Sequence, residues 1–260
     1  MGFAEEVKEY LGDDAWTVYH AAEMDSTNEW AKRMSGEDTP DLTVFFADEQ
    51  TAGKGRLGRV WKSPAGTSVS MSVLLRPSVR AEHLSMLTLV MGMAAADGLR
   101  EVSGLDVGIK WPNDVVIHGK KLCGILTETA SDGSWVVIGI GINVNMTEFP
   151  EDLKDKASSL RLETGREESL SRTAAVVLGK FRHYYQIFCR TEDMSGLKKD
   201  YERMLVNINR GVRVLDPAGA FDGTALGIDE AGDLLVRKKD GTLTHVYSGE
   251  VSVRGIYGYT

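Results

Sequence analysis

Between Leu170 and Cys189, the apolar residues Leu170, Ala174, Val177, Phe181, Tyr184 and Phe188 recur every three or four positions. That spacing predicts a long helix with one face on a core. A second helix is predicted from His83 to Val102, where Leu84, Leu87, Met91, Ala94, Ala95 and Leu99 share a side. Its methionines fit irregular core gaps and call for no cofactor. A short amphipathic stretch, Phe3, Val7 and Leu11, opens the chain, and Ser26 with Glu29 three residues on has the form of a capping box. Period two replaces the helical period at Thr67–Val73, which alternates strictly and predicts a half-buried strand after a turn at residues 63–66. Shorter strands are expected at Trp16–Tyr19, Val44–Phe46, Val107–Lys110 and Leu122–Glu128. Trp135–Asn143 is apolar except for Gly139 and Gly141, so it should be a central strand buried on both faces. Glycines inside such a strand mark close approach of a ligand or of other backbone. Residues 147–166 are polar and loop-rich, with a small apolar insert at Ser158–Leu160.

The texture changes after about residue 207. Five short β-type runs (Val212–Leu215, Thr224–Ile228, Leu234–Arg237, Leu243–Tyr247, Val251–Val253) are separated by turn pairs at Asp216-Pro217, Ala231-Gly232, Asp240-Gly241 and Ser248-Gly249. Closely spaced strands with tight turns predict a small β-barrel. The expected plan is therefore an α/β (α+β) domain over residues 1–206, with helices on a central mixed sheet, and a small β-barrel over 207–260.

Composition narrows the function classes. The 260 residues are 42% hydrophobic and 26% charged, ordinary for a soluble globular protein. A net charge of −8 argues against a duplex-DNA binder, whose affinity rests on a broad basic face. Cys123 and Cys189 form no CxxC pattern, and the histidines His20, His83, His118, His183 and His245 lack ligand spacing, so no metal site is expected. No basic-then-apolar leader and no run of about 18 apolar residues is visible. A cytoplasmic protein without membrane contact is the expectation.

Against that acidic background, Gly53-Lys54-Gly55-Arg56-Leu57-Gly58-Arg59 concentrates positive charge among glycines, with Trp61 and Lys62 behind it. Glycine lets a loop wrap its amides round an anion, and arginine and lysine add fixed charge. The loop matches the dinucleotide fingerprint G-x-G-x-x-G, but Ser63-Pro64 blocks the helix that the fingerprint must open. With Val60 it matches the kinase glycine loop, yet the kinase V-A-I-K, H-R-D and D-F-G segments are absent. A P-loop and a GxSxG elbow are missing as well. Taken alone, the loop has a plainer reading as a solvated basic turn, and Ser26 and Thr27 read as helix caps. Lys110-Trp111-Pro112-Asn113-Asp114 places a cation, an aromatic ring and an amide at a strand end, and Lys120-Lys121 opens a strand containing Gly124. Trp111 is equally a core residue.

In this order the blocks resemble the biotin–protein ligases. The resemblance runs through Asp25-Ser26-Thr27-Asn28, Gln50-Thr51-Ala52 and the glycine loop. It continues through Lys110–Asp114, Lys121-Leu122-Cys123-Gly124-Ile125-Leu126 and the strand ending Gly141-Ile142-Asn143. It covers roughly residues 15–145 and departs at Lys54, where the family more often has arginine, and in lacking the N-terminal DNA-binding module of some members. The resemblance implies a class II aminoacyl-tRNA-synthetase-like catalytic domain with an SH3-like C-terminal barrel. It implies activation of biotin by ATP with Mg2+ to biotinyl-5′-AMP, then transfer to a lysine of a biotin carboxyl carrier protein, without DNA; a homodimer is left open. Lys121 and Arg56 take the catalytic roles. Ser26, Thr27, Asn28, Gln50, Lys54, Gly55, Arg56, Lys121 and Gly124 would bind biotin. Arg56, Arg59, Trp61, Lys110, Asn113, Lys121 and Asn143 would face ATP, whose phosphates carry the metal; Gly139 and Gly141 would leave space for the ligand. The alternatives are a lipoate–protein ligase, a non-catalytic biotin sensor or repressor, and a single-stranded nucleic-acid binder.

Overall fold

The computed structural model describes residues 1–36, 38–62, 64–216, 219–248 and 252–255. In chain order the first elements are α1 (Phe3–Leu11), β1 (Thr17–Met24), α2 (Thr27–Arg33), β2 (Thr43–Gln50) and β3 (Ser68–Leu75). Then come α3 (Leu87–Ser103), β4 (Gly108–Lys110), β5 (Asp114–Ile117), β6 (Lys120–Thr129) and β7 (Val136–Asn143). After α4 (Leu160–Thr164), α5 (Leu170–Thr191) and α6 (Lys198–Met204), the chain ends in β8 (Gly211–Leu215), β9 (Phe221–Ile228), β10 (Leu234–Lys238), β11 (Leu243–Val246) and β12 (Ser252–Gly255).

The first seven strands form one mixed sheet, ordered β1-β2-β3-β7-β6-β5-β4, in which β1 and β2 are parallel and the other pairs antiparallel. Strand parity divides its two faces. Val69, Met71, Val73 and Leu75 of β3, with Val136, Ile138, Ile140 and Ile142 of β7, enter the main core beneath α3 and α5. The opposite parity of β2, β3 and β7 gives Phe45, Leu74 and Val137, which pack with Ala31 of α2 as a smaller cluster. The rest of that second face carries Ser70, Ser72, Gly139 and Gly141. β7 is the middle strand, buried throughout, as its apolar run predicts.

Several expectations need correction. The alternating segment is fully buried from Ser68 onward, because α2 covers the serine face that the pattern assigns to solvent. α2 does begin after Ser26, but Ser26 makes no side-chain cap bond, and Glu29 is drawn away by two lysines. The helix predicted from His83 starts four residues later, behind a 3-10 turn at Ala81–Met86. The chain turns over residues 111–113, where the Trp111-Pro112 peptide bond is cis, and enters at Asp114 a strand, β5, that was not expected. α6 was not expected at all.

The last five strands form an antiparallel sheet in the order β11-β10-β9-β8-β12, around Val212, Val214, Ala225, Ile228, Leu234 and Val236. Gly232 and Gly241 take positive φ, 81° and 89°, as their predicted turns require. Ser63, Pro217, Gly249 and Val251, parts of other expected turns and of the last strand, lie outside the described residues. Trp111 joins the two sheets. It is buried, its Nε1 donates to Gly232 O at 3.0 Å, and its backbone N–H donates to Asn207 Oδ1 at 3.0 Å.

Candidate active site

One cross-strand row on the second face of the seven-stranded sheet lays out the site. Ser70 on β3 pairs with Gly141 on β7, Gly141 with Gly124 on β6, Gly124 with Asp114 on β5, and Asp114 with Lys110 on β4. Partners opposite each other in antiparallel strands share a face, so the row runs from small residues to a paired carboxylate and ammonium. Two residues along, Ser72 pairs with Gly139 and Gly139 with Leu126. The glycines form a trough. A Cβ at Gly139 would collide with the Asn28 carboxamide, and one at Gly141 with the Trp61 indole.

The trough opens into a pocket of about 450 Å³, counting its mouth, bordered by the N-terminus of α2, the end of β2 and the glycine loop. At the uncharged end, Gln50 Oε1 accepts from the Thr27 backbone N–H at 2.9 Å and lies 3.2 Å from Thr27 Oγ1. That fixes the Gln50 amide with its NH2 group directed elsewhere. Ser72 Oγ stands 2.7 Å from Thr27 Oγ1 and 2.6 Å from Asn28 Oδ1. Asn28 Nδ2 donates to Glu128 Oε2 at 2.7 Å. Ser26, Thr27 and Asn28 are all buried, so this corner presents oriented donors and acceptors rather than solvated ones.

The other end is cationic. Lys121 and Gly124 are three apart in sequence, an odd spacing that would set them on opposite faces of a regular strand. A bulge corrects this: Val115 and Val116 pair successively with Cys123 and Lys121, and both Leu122 and Cys123 turn into the core. The Lys121 head thus lies over Gly124, with Nζ 2.5 Å from Asp114 Oδ1 and 5.6 Å from the centre of the Trp61 ring. Burial pushes the Cys123 thiol well up, so it stays protonated and serves packing. Lys110 is also buried, and the loss of hydration lowers it to about 8 against the opposing pull of Asp114.

The glycine loop is a small hairpin. Gly55 N–H donates to Arg59 O at 2.7 Å, and Trp61 N–H to Gly53 O at 2.9 Å, around a tip at Arg56–Gly58. It carries the Arg56 guanidinium to Asn113 Oδ1 (2.9 Å) and to Ser248 O, two residues past β11 of the second sheet (2.6 Å). Burial lowers the Arg56 pKa, with Asp114 opposing; from so high a starting value it stays a cation.

The pocket brings together Ser26, Thr27, Asn28, Gln50, Lys54, Gly55, Arg56, Trp61, Asn113, Lys121 and Gly124. Three expected residues lie off its wall. Arg59 is exposed on the loop, Lys110 is buried behind Asp114, and Asn143 donates to Ser158 O at 3.1 Å at the end of β7. Lys54 turns its ammonium onto Glu29, 2.5 Å away. Sequence reasoning missed Asp114, Ser70, Ser72 and Glu128. The serines' alternation was visible but reads as an exposed face, and nothing local marks Glu128.

Residues 21–145 match the family described as "Biotin/lipoate A/B protein ligase family", and residues 208–254 match "Biotin protein ligase C terminal domain". The chain is 36% identical over 241 residues to the bifunctional ligase/repressor BirA of Bacillus subtilis, covering 91% of this chain and 73% of that protein. It is 36% identical over 221 residues to the biotin–[acetyl-CoA-carboxylase] ligase of Mycobacterium tuberculosis, covering 82% and 80%. The structure of biotin protein ligase from Aquifex aeolicus in complex with biotin and ATP superposes with a TM-score of 0.81 at 31% identity, over 92% of this chain and 99% of that one. On sequence, fold and the arrangement of the pocket together, the chain belongs to the biotin protein ligase family.

Proposed function

We propose that this protein is a biotin–protein ligase. It joins biotin to ATP as biotinyl-5′-AMP with loss of pyrophosphate, and then passes the biotinyl group to a lysine of a biotin carboxyl carrier protein. The observation that carries this reading is the layout of one pocket, with oriented amide and hydroxyl groups at one end of a glycine trough and Lys121 and Arg56 at the other. A bicyclic urea with an aliphatic acid tail suits that order. Its ureido group needs both donors and acceptors, which Ser26, Thr27, Asn28 and Gln50 supply. Its ring and tail need the room over Gly139, Gly141 and Gly124.

The carboxylate is already ionised at pH 7, so the first step needs no general base. A carboxylate oxygen forms a bond to the α-phosphorus, and the bond from that phosphorus to the bridging oxygen breaks, with pyrophosphate leaving on the electron pair. Lys121 stands between the two anions, and Arg56 closes over them from the loop. Trp61, Asn113, Lys110 and Arg59 serve the nucleotide side, with Lys110 and Arg59 as background charge. In the second step the carrier's neutral amine attacks the acyl carbon, the bond from that carbon to the phosphate oxygen breaks, AMP leaves on the electron pair, and the nitrogen gives up a proton to solvent, giving an amide. Mg2+ enters with the nucleotide. Among the described residues, the one group of three side chains placed to ligate a metal, Asp229, Asp233 and His245, belongs to the second sheet. We assign catalysis to residues 1–206 and a supporting role to 207–260.

The test is incubation with biotin, MgATP and a carrier domain, with lipoic acid in a parallel arm. A gain of one biotinyl mass on the carrier is expected. No gain, or a gain with lipoic acid alone, would reject the reading.

A further inference from the structure

The mechanism leaves unused a chain of charges that runs outward from the pocket floor. Asn28 Nδ2 donates to Glu128 Oε2 at 2.7 Å, and Glu128 Oε1 is 2.9 Å from Lys32 Nζ. Lys32 Nζ is 2.6 Å from Glu29 Oε1, and the same oxygen is 2.5 Å from Lys54 Nζ at the root of the glycine loop. Sign alternates at every link: Glu128, Lys32, Glu29, Lys54. An isolated exposed pair adds little. Here the four side chains are only 24–49% exposed, each inner member serves two neighbours, and the inner end is a hydrogen bond to a buried amide. The two lysines hold the Glu29 carboxyl below its ordinary value, Lys32 contributing more than Lys54.

We infer that Glu128 is a positioning residue for the biotin pocket, and that the Lys32–Glu29–Lys54 links tie the Asn28 carboxamide it orients to the root of the glycine loop. A terminal amide can be turned over, exchanging its donor and acceptor. With Glu128 charged, only the NH2 group of Asn28 can face it, so Oδ1 is held toward Ser72 and the trough at Gly139. Losing Glu128 leaves the NH2 group only the long contact to Leu126 O, 3.4 Å away, so the amide is held less firmly and can turn the wrong group over the ligand. The outer links act on the loop. Glu29 gives Lys54 a fixed partner on α2, which keeps the hairpin root seated while Arg56 reaches inward. This also accounts for a lysine in the loop. A single ammonium suffices to meet one carboxylate oxygen, whereas the fork of an arginine is suited to two.

The inference rests on the proposed ligase activity, and biotin-dependent exchange of labelled pyrophosphate into ATP separates the two. Absence of biotin-dependent exchange in the unaltered protein would reject the activity itself. With exchange present, Glu128→Ala is expected to raise the biotin KM about tenfold or more, with the ATP KM within about twofold. Glu128→Gln, which can still accept from Asn28, should recover most of that loss. If Glu128→Ala does not fold, Ser72→Ala removes the tether on the oxygen of the same amide and should show the same split between the two KM values. Glu29→Gln, measured without carrier, is expected to release biotinyl-5′-AMP to solution several times faster. An unchanged biotin KM in the folded variant, a parallel rise in both KM values, or unaltered release from Glu29→Gln would each overturn the inference.

Discussion

Two like unit charges about 4 Å apart repel by roughly 4 kcal/mol at an effective dielectric of 20, and the first half-reaction brings a carboxylate that close to a phosphate. In the proposed mechanism Lys121 offsets this repulsion from a fixed position, held by the bulge in β6 and by Asp114 at 2.5 Å. Lys121→Ala is expected to slow adenylate formation by about 10²–10³-fold, the usual effect of removing one preorganised charge donor; wild-type exchange rates in that variant would refute its central place. In the proposed mechanism Arg56 closes over the anions and retains the product, so Arg56→Gly should still form adenylate but lose it to solution, detectable as free biotinyl-5′-AMP without carrier. If Lys110 serves the nucleotide side as proposed, its contribution depends on pH. Burial lowers it to about 8, so it is mostly charged at pH 7 and mostly neutral at pH 9.5. Phosphates favour the charged form. ATP binding should therefore take up a proton above pH 8, and the ATP KM should rise about tenfold between pH 7 and 9.5. Lys110→Arg should flatten that rise; a pH-independent KM in the unaltered protein would remove Lys110 from the nucleotide side.

At the scale of elements, the site depends on which rows of the sheet lack side chains. Gly139 and Gly141 face α2 and the loop from the middle strand, and each gives up its side chain to a neighbour that a Cβ would strike. Gly139→Ala is expected to push on Asn28, lowering stability by about 1–3 kcal/mol and weakening biotin more than ATP. Calorimetric melting together with biotin titration checks both; an unshifted melting temperature with normal biotin affinity would mean that the trough has slack. These glycines were legible in the sequence as breaks in an apolar run, and so was the long core helix, whose Phe181 and Phe188 are wholly buried. The serine face of β3 was legible only as polar. Alternation states that two faces differ; it does not state that α2 lies over one of them. β5 was hidden because four residues after a proline and an asparagine carry too little pattern, and pairing on both sides stabilises what propensity does not.

Across the whole molecule, the second sheet reaches the site through a few contacts. Trp111 is anchored to Gly232 O, and Arg56 to Ser248 O, so both a corner of the pocket and the loop lean on residues beyond 207. Trp111→Phe removes one buried donor and leaves the Gly232 carbonyl without it, for an expected loss of about 1–3 kcal/mol. The ATP KM should rise with it, because β4 and Asn113 flank that tryptophan; a loss of stability with unchanged ATP kinetics would confine Trp111 to packing. What the sequence by itself determined is what short-range periodicity and residue chemistry encode: the α/β plan, the buried middle strand, the strand-rich tail, and blocks of cation, amide and glycine that resemble one family. Only the tertiary structure decided what depends on register and close approach. Ser70, Gly141, Gly124, Asp114 and Lys110 lie on five strands, and nothing local records that they form one row. A single bulged residue swings Lys121 onto that row, and Glu128 meets Asn28 across a separation of 100 positions. Pairing register and long-range contact arise from packing the whole chain at once, which is why the site's parts could be named before its geometry.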